Sequence, residues 1–220
     1  MISKSLIDES IPILTGKETI DEVLRLMEDA RLGALPLITD GKLISVLNED
    51  LLMGQIDDQL NVSYLPTVQS PMVSANSHWF EAVSVYKKSK LEIIPVLDEK
   101  LGYIGCIKSQ TLLEKFTEML AFNSVGAILI VQIDERNYSL SDISRIIESN
   151  GGKILSASLF QDNEAENLVH LEMKLDSDDA SRIVAALQRY NHNVVARFQN
   201  SFYQDADQDR LNQFLRYINI

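Results

Sequence analysis

The sequence has very little cysteine and no long apolar run. Only Cys106 occurs among the 220 residues, which excludes a disulfide framework or a cysteine-built metal site within one chain and is typical of a reducing compartment. The N-terminal stretch MISKSLIDES lacks the apolar core of a signal peptide, and no run approaches the ~18 apolar residues of a membrane span. These absences predict a cytoplasmic protein.

Basic residues are also scarce. The chain has 20 Lys and Arg against 32 Asp and Glu, a net charge of −12. Nucleic acids and anionic membrane surfaces require a basic footprint, so neither is an expected partner. Hydrophobic residues make up 45% and charged residues 24%, as in an ordinary globular protein, and 220 residues suit two domains.

Recognisable catalytic and metal-binding motifs are missing as well. No His or Cys lies three or four residues from His78, His170 or His192. His170 and Glu172 share one face of a predicted strand, and a structural histidine is the prediction there. The stretch ESNGGK follows a helix, whereas a phosphate loop follows a strand. Cys106 lies in an apolar strand without the electropositive setting of a reactive thiol. The sequence predicts no active site, no metal site and no required cofactor.

A repeat organises the first half of the chain. Pro36 falls on Pro95 at an offset of 59 residues, and one inserted residue then shifts the offset to 60. Each copy predicts an extended segment, an amphipathic helix, a strand, a tight turn, a strand and a final helix. Thr19 and Ser77 are candidate caps of the two amphipathic helices. The matched apolar pairs are Leu32 with Leu91, Leu35 with Ile94, Leu37 with Val96, Ile44 with Ile104, Leu47 with Ile107 and Leu52 with Leu112.

The stretches LGALPLITDGKLISVLNEDLL and LEIIPVLDEKLGYIGCIKSQTLL resemble the CBS domain. The resemblance covers residues 1–120, with repeat 1 at about 1–60 and repeat 2 at about 61–120. It implies a tandem pair packed into one disc-like module. It also implies an adenosine-containing ligand, namely ATP, ADP, AMP or S-adenosylmethionine, in the clefts between the repeats.

Both copies depart from the ligand motif of nucleotide-binding CBS repeats. That motif ends a strand with glycine, two apolar residues, Thr or Ser, two variable residues and Asp, whose carboxylate accepts both ribose hydroxyls. In the first copy Asn48 replaces the hydroxyl residue and Asp50 comes one residue early. In the second copy Lys108 and Thr111 occupy the hydroxyl and Asp positions. The resemblance therefore gives as candidate ligand-binding residues Thr15, Asp50, Ser74, Lys108 and Thr111.

Each of these candidates also has a purely structural interpretation. Asp50 can stand in the first turn of a helix, where negative charge is favoured. Lys108 can be solvated instead of meeting a phosphate. Thr15 and Ser74 occupy matching places on the segments that enter each copy, and both can be simple turn or cap residues.

The pattern changes after residue 124. Four stretches are strand-like, namely VGAILIVQID, KILSASLFQ, LVHLEMKL and HNVVARF, and two are helical, namely YSLSDISRIIESNGG and DSDDASRIVAALQRYN. Their order along the chain predicts the ferredoxin-like arrangement βαββαβ. The predicted fold class is thus α/β and α+β, a pair of pseudo-symmetric repeats plus this unit. Residues 125–199 resemble the ACT domain. The resemblance implies a homodimer formed by pairing of sheets between subunits.

The ACT resemblance also implies amino-acid binding at the first strand–helix loop. The candidate residues there are Glu135, Arg136, Asn137 and Tyr138. Asn137 and Tyr138 replace the proline and glycine of the family pattern, and Tyr138 would crowd the backbone amides that a carboxylate ligand needs. A purely dimerising unit is the alternative.

Residues 200–220 predict a C-terminal helical tail with an apolar stripe, which either packs on the core or docks a partner. The domain order CBS, CBS, ACT resembles the acetoin-utilisation AcuB-type proteins. That resemblance implies a non-catalytic regulator that binds an adenosine-type molecule and acts on an unidentified protein partner. A ligand-free dimeric scaffold and an amino-acid sensor are the alternatives.

Overall fold

The computed structural model describes residues 1–67, 70–161 and 166–199, so the predicted tail lies outside the described residues. The chain divides into two units, Met1–Lys115 and Phe116–Ile220. Among the described residues, none of the helices combines the length and the apolar character needed to cross a membrane.

The first unit contains two copies of one order of elements. Copy 1 comprises α1 (Ile20–Ala30), β1 (Ala34–Thr39), β2 (Lys42–Asn48) and α2 (Glu49–Met53). Copy 2 comprises β3 (Val73–Ser74), α3 (Phe80–Ser89), β4 (Ile93–Leu97), β5 (Tyr103–Lys108) and the beginning of α4 (Ser109–Met119), whose residues from Phe116 onward belong to the second unit. β1 and β2 pair antiparallel, and β3, β4 and β5 form a three-stranded sheet in that order.

The repeat predicted from the sequence extends to equivalent hydrogen bonds in the two copies. The Glu49 amide donates to the Gly33 carbonyl at 3.0 Å, and the equivalent Ser109 amide donates to the Glu92 carbonyl at 2.8 Å. In both copies, this bond joins the start of the final helix to the residue before the first buried strand. The final helix of each copy is therefore joined to the first buried strand by an equivalent hydrogen bond.

The start of α1 agrees with the sequence pattern. The Thr19 hydroxyl accepts from the Glu22 amide, and the Glu22 carboxylate accepts from the Thr19 amide, which is a capping box. The equivalent prediction for Ser77 is wrong. The residue before α3 is Trp79, which makes no side-chain cap. The Ser77 hydroxyl instead donates to the Ser74 carbonyl at 2.8 Å in the preceding turn.

One apolar core joins the two copies. β4 is buried along its whole length and β1 along its first four residues, which explains their continuous apolar sequences. Leu35 and Leu47 of copy 1 pack in the same cluster as Ile93 and Cys106 of copy 2. The clefts between the copies are consequently held by a shared hydrophobic interior.

The second unit contains β6 (Ile128–Asp134), α5 (Leu140–Ser149), β7 (Ile154–Gln161), β8 (Leu168–Leu175), α6 (Ser181–Arg189) and β9 (Asn193–Phe198). Its sheet has the order β7–β8–β6–β9 with every pair antiparallel. This topology confirms the predicted ferredoxin-like arrangement. Alternate residues of β6 and β8 are buried against α5 and α6, and the remaining ones face the other side of the sheet.

Candidate functional site

A pocket of about 210 Å³ lies between the two copies of the first unit. Copy 1 contributes the start of β1 and the junction of β2 with α2, and copy 2 contributes the residues between α3 and β4. A molecule in this pocket therefore contacts both copies. The lining residues are Gly33, Ala34, Asn48, Glu49, Asp50, Lys90, Leu91 and Glu92.

Asp50 enters this pocket from the first turn of α2. Asn48 is the N-cap, and its side-chain oxygen accepts from the Leu51 amide at 3.0 Å. Asn48, which replaces the Thr or Ser of the ligand motif, thus caps the helix. The exposed Asp50 carboxylate makes no hydrogen bond or ion pair within the described ranges, so both of its oxygens are open to a ligand.

The charge of the pocket is predominantly negative. The Glu92 carboxylate accepts from the Gly33 amide at 2.7 Å and thereby ties copy 2 to copy 1. Glu49, Asp50 and Glu92 contribute three carboxylates, against the ammonium of Lys90. Such a site disfavours phosphate groups and favours neutral or cationic ones.

Lys108 is ion-paired in the structure rather than fully solvated. Its ammonium lies 2.9 Å from the Asp8 carboxylate, and both side chains are partly exposed. Hydrogen bonds from Ser10 and Lys108 lower the pKa of Asp8 to about 2. Thr111 is half-buried in the first turn of α4, and neither it nor Lys108 lines the pocket that holds Asp50.

Thr15 and Ser74 occupy matching segments but are used differently. The Thr15 hydroxyl and amide donate to the Glu18 carboxylate at 2.8 and 3.1 Å, and the Gly16 amide adds a bond of 2.9 Å. Partial burial raises the pKa of Glu18, but these hydrogen bonds outweigh it, so the pKa is lowered. The exposed Ser74 hydroxyl makes no hydrogen bond within the described ranges.

The candidate loop of the second unit is closed by its own contacts. Glu135, Arg136 and Asn137 form an exposed 3₁₀ turn after β6. The Arg136 amide donates to the Asp134 carboxylate at 2.9 Å, so an acid of the chain already occupies a place that a ligand carboxylate would take. The Tyr138 side chain packs against the core of the unit.

Cys106 lies in β5, and His170 lies in β8. Cys106 is fully buried, and burial raises the pKa of its thiol to about 12, which disfavours a reactive thiolate. The His170 ring stacks on Phe160 with centroids 5.4 Å apart. In the described part of the chain, no group of three or more His, Cys, Asp or Glu side chains is placed to hold a metal ion.

Sequence reasoning missed two groups of contacts. Lys90 and Glu92 line the first pocket, but neither belongs to the ligand motif that drew attention to Asp50. Asp8 reaches Lys108 from the opposite end of the first unit's sequence, and no local pattern marks such a pairing. The repeat offset offered one signal, because it places Glu92 on Gly33 beside the buried strand.

Comparisons with known proteins agree with this architecture. The CBS domain family matches residues 4–57. No curated protein matches the chain. A CBS domain pair/ACT domain protein from Thermotoga maritima is similar with a TM-score of 0.50 and 20% identity, over 55% of this chain and 99% of that one.

Two further solved structures are similar at lower scores. A hypothetical conserved protein from Geobacillus kaustophilus has a TM-score of 0.48 and 14% identity, over 55% of this chain and 98% of that one. CBSX2 in complex with AMP has a TM-score of 0.47 and 16% identity, over 53% of this chain and 96% of that one. The family match and the comparison with the Thermotoga maritima protein show that the chain contains a CBS domain at residues 4–57 and has the mixed α/β fold of a CBS domain pair.

Proposed function

We propose that this protein is a non-catalytic regulator whose inter-repeat pocket binds an adenosine-containing metabolite. The observation that carries the proposal is the position of Asp50, whose open carboxylate lies in a pocket built by both copies. A carboxylate of this kind accepts hydrogen bonds from the two hydroxyls of a ribose. The candidate ligands are AMP, ADP, ATP and S-adenosylmethionine.

The size and charge of the pocket rank these ligands. About 210 Å³ is below the 300–1,000 Å³ usual for a complete small-molecule site, so the pocket suits the nucleoside part and leaves the rest of the ligand outside. Three carboxylates near one ammonium repel a phosphate chain. We expect cationic S-adenosylmethionine to bind more tightly than AMP, and AMP more tightly than ATP.

Lys108, Thr111, Thr15 and Ser74 do not line the pocket of Asp50, and in this proposal they bind a ligand more weakly. A ligand phosphate competes with Asp8 for Lys108, because the Lys108 ammonium already lies 2.9 Å from the Asp8 carboxylate. The Thr15 hydroxyl similarly has to leave Glu18 before it can bind a ligand. We therefore expect the pocket of Asp50 to fill first.

Regulation follows from contact with both copies. A ligand that binds one relative placement of the copies more tightly than another shifts the protein toward that placement, and only by as much as its two affinities differ. The ACT-like unit, which we propose forms a homodimer, transmits that shift to an unidentified protein partner. This step gives the second unit a role without any catalysis.

The test is thermal unfolding of the whole chain with each adenosine compound and with the common amino acids. A ligand at ~100 times its dissociation constant adds roughly 2.7 kcal/mol of stability, which raises the melting temperature by several degrees. Asp50→Ala is expected to remove the shift. Asp29→Ala is the matched control, since Asp29 is an exposed helical aspartate that does not line the pocket.

Two other outcomes select the alternative functions. A shift with an amino acid alone would move the ligand site to Glu135, Arg136, Asn137 and Tyr138 and make the protein an amino-acid sensor. No shift with any compound, in a folded protein, would favour a ligand-free dimeric scaffold. The internal bonds of Thr15, Lys108 and Arg136 are the observation that supports the scaffold.

A further inference from the structure

The second unit contains a larger pocket that the adenosine proposal does not use. Its volume is about 390 Å³, which falls within the range of small-molecule sites. It lies on the face of the sheet that α5 and α6 do not cover. Val169, Leu171, Met173 and Leu175 of β8 point into the helix-covered core, so the alternate residues of that strand point to the pocket side.

The apolar walls come from β6 and from the segment after α4. Ile128 supplies the sheet side, and Leu120 and Phe122 supply the opposite side. A hydrogen bond of 2.9 Å from the Ser156 hydroxyl to the Leu120 carbonyl fastens that segment to β7. The pocket is therefore held by a side-chain bond as well as by chain connectivity.

The polar wall contains one charge that is satisfied and one that is not. The Lys174 ammonium donates to the Gly126 carbonyl at 2.8 Å, which holds it beside the start of β6. Glu172 is half-buried, yet its carboxylate forms no hydrogen bond or ion pair inside the described ranges. Ser158 lies directly opposite Glu172 across the β7–β8 ladder, and its hydroxyl has no partner there either.

A half-buried carboxylate without a partner in the described ranges, beside a hydroxyl and an apolar wall, favours a ligand that donates hydrogen bonds. A protonated amine meets this need best, because its N–H groups form charge-assisted bonds to a carboxylate. We propose that this pocket is a second ligand site, which binds a small organic amine through Glu172 and Ser158 and places the amine's apolar body against Leu120, Phe122 and Ile128. The site is separate from the turn that contains Glu135.

The test compares three compounds that share one apolar body. 2-Phenylethylamine, 2-phenylethanol and phenylacetate are titrated into the whole chain at pH 7, with amide chemical shifts as the readout. The amine is expected to bind at least about tenfold more tightly than phenylacetate, with shifts at Ser158 and Glu172. Glu172→Gln is expected to remove this preference, and Glu148→Gln, on the exposed side of α5, is expected to keep it.

Four results would overturn the proposal. One is equal binding of the amine and the carboxylate, and another is unchanged amine binding in Glu172→Gln. A third is absence of binding by all three compounds, and the last is shifts confined to the first unit. Ser158→Ala removes a neutral group only and tests the same site in a variant with little risk of misfolding, with a several-fold loss of amine affinity expected.

Discussion

The Lys108 ammonium lies 2.9 Å from the Asp8 carboxylate, and this contact ties the beginning of the chain to the second copy of the repeat. The Asp8 amide also donates to the Cys106 carbonyl at 2.9 Å, and the Ser3 amide donates to the Ser77 carbonyl at 2.8 Å. The first residues of the chain thus pack on copy 2 before the chain enters copy 1. The N-terminal segment therefore links copy 1 to copy 2.

The ion pair gives a prediction about acid stability. The folded pKa of Asp8, about 2, is below its ordinary value of 3.8, so its contribution is present above about pH 4 and is lost as the pH falls toward 2. Asp8→Asn is expected to lower the free energy of unfolding by about 1 kcal/mol at pH 7, since the pair is partly exposed. Urea unfolding between pH 2 and 7 measures this difference, which should vanish at the acid end.

Glu9→Gln is the matched control for Asp8→Asn. Glu9 is exposed, and its carboxylate forms no bond within the described ranges. We expect the control to unfold like the wild type at each pH. A deficit in Asp8→Asn that stays constant down to pH 2 would contradict the assignment to the carboxylate charge.

The same substitution makes a prediction about ligand binding. Asp8→Asn leaves Lys108 without its counter-ion, so a ligand phosphate no longer has to displace a carboxylate. At Lys108, outside the pocket of Asp50, AMP is expected to bind about threefold to tenfold more tightly, corresponding to a released ion pair of roughly 1 kcal/mol. S-adenosylmethionine, which has no phosphate, should be unaffected in the same calorimetric titration.

Lys108→Ala provides the opposite change for that experiment. Adding it to Asp8→Asn should remove the gain in AMP affinity, because no cation remains for the phosphate. If AMP binding stays enhanced in the double variant, Lys108 is not its phosphate contact.

Glu92 offers a test of the charge in the first pocket. Its carboxylate accepts from the Gly33 amide at 2.7 Å, and an amide oxygen in Glu92→Gln can accept the same bond. The substitution therefore removes one negative charge while it keeps the tie between the copies. We expect ATP affinity to rise by about threefold to tenfold relative to S-adenosylmethionine, measured by competition calorimetry.

Glu92→Ala separates the structural role of this residue from its charge. It leaves the Gly33 amide without its partner, and we expect the free energy of unfolding to fall by about 1–2 kcal/mol. Similar destabilisation by Glu92→Gln would mean that the bond requires the carboxylate charge. In that case the affinity comparison would have to be made at matched stability.

The parts of this fold that the sequence predicted are those with a local or periodic signal. The offset between Pro36 and Pro95 revealed the repeat because both strands are buried and must be continuously apolar. Thr19 with Glu22 revealed a helix start because a capping box needs only three residues.

The candidate sites were harder to predict because their contacts join distant parts of the chain. Asp50 was found through a motif, but Glu92, which sets the charge of the same pocket, carries no motif. The free carboxylate of Glu172 has an ordinary sequence context, and only the β7–β8 register places it opposite Ser158. Whether a polar side chain has a hydrogen-bond or ion-pair partner depends on tertiary contacts, which composition and spacing do not specify.

Gly105 makes the packing of the N-terminal segment on β5 testable. Its φ of +147° is a conformation that favours glycine, and a Cβ there would collide with the Ile7 side chain. Gly105→Ala is expected to cost about 3 kcal/mol by urea unfolding, from backbone strain and overpacking together. Gly41→Ala is the control, because Gly41 has a φ of +73° and no atom within 4 Å of the added Cβ. It should cost about 1–2 kcal/mol, from backbone strain alone.

The Ile7→Ala background isolates the collision. The three atoms nearest to the added Cβ all belong to Ile7, so the shortened side chain gives it room. In that background Gly105→Ala should cost about 1–2 kcal/mol less than it does in the wild type, because the overpacking part of its penalty is removed. If the full penalty persists there, the cost comes from the backbone of β5 and not from the collision with Ile7.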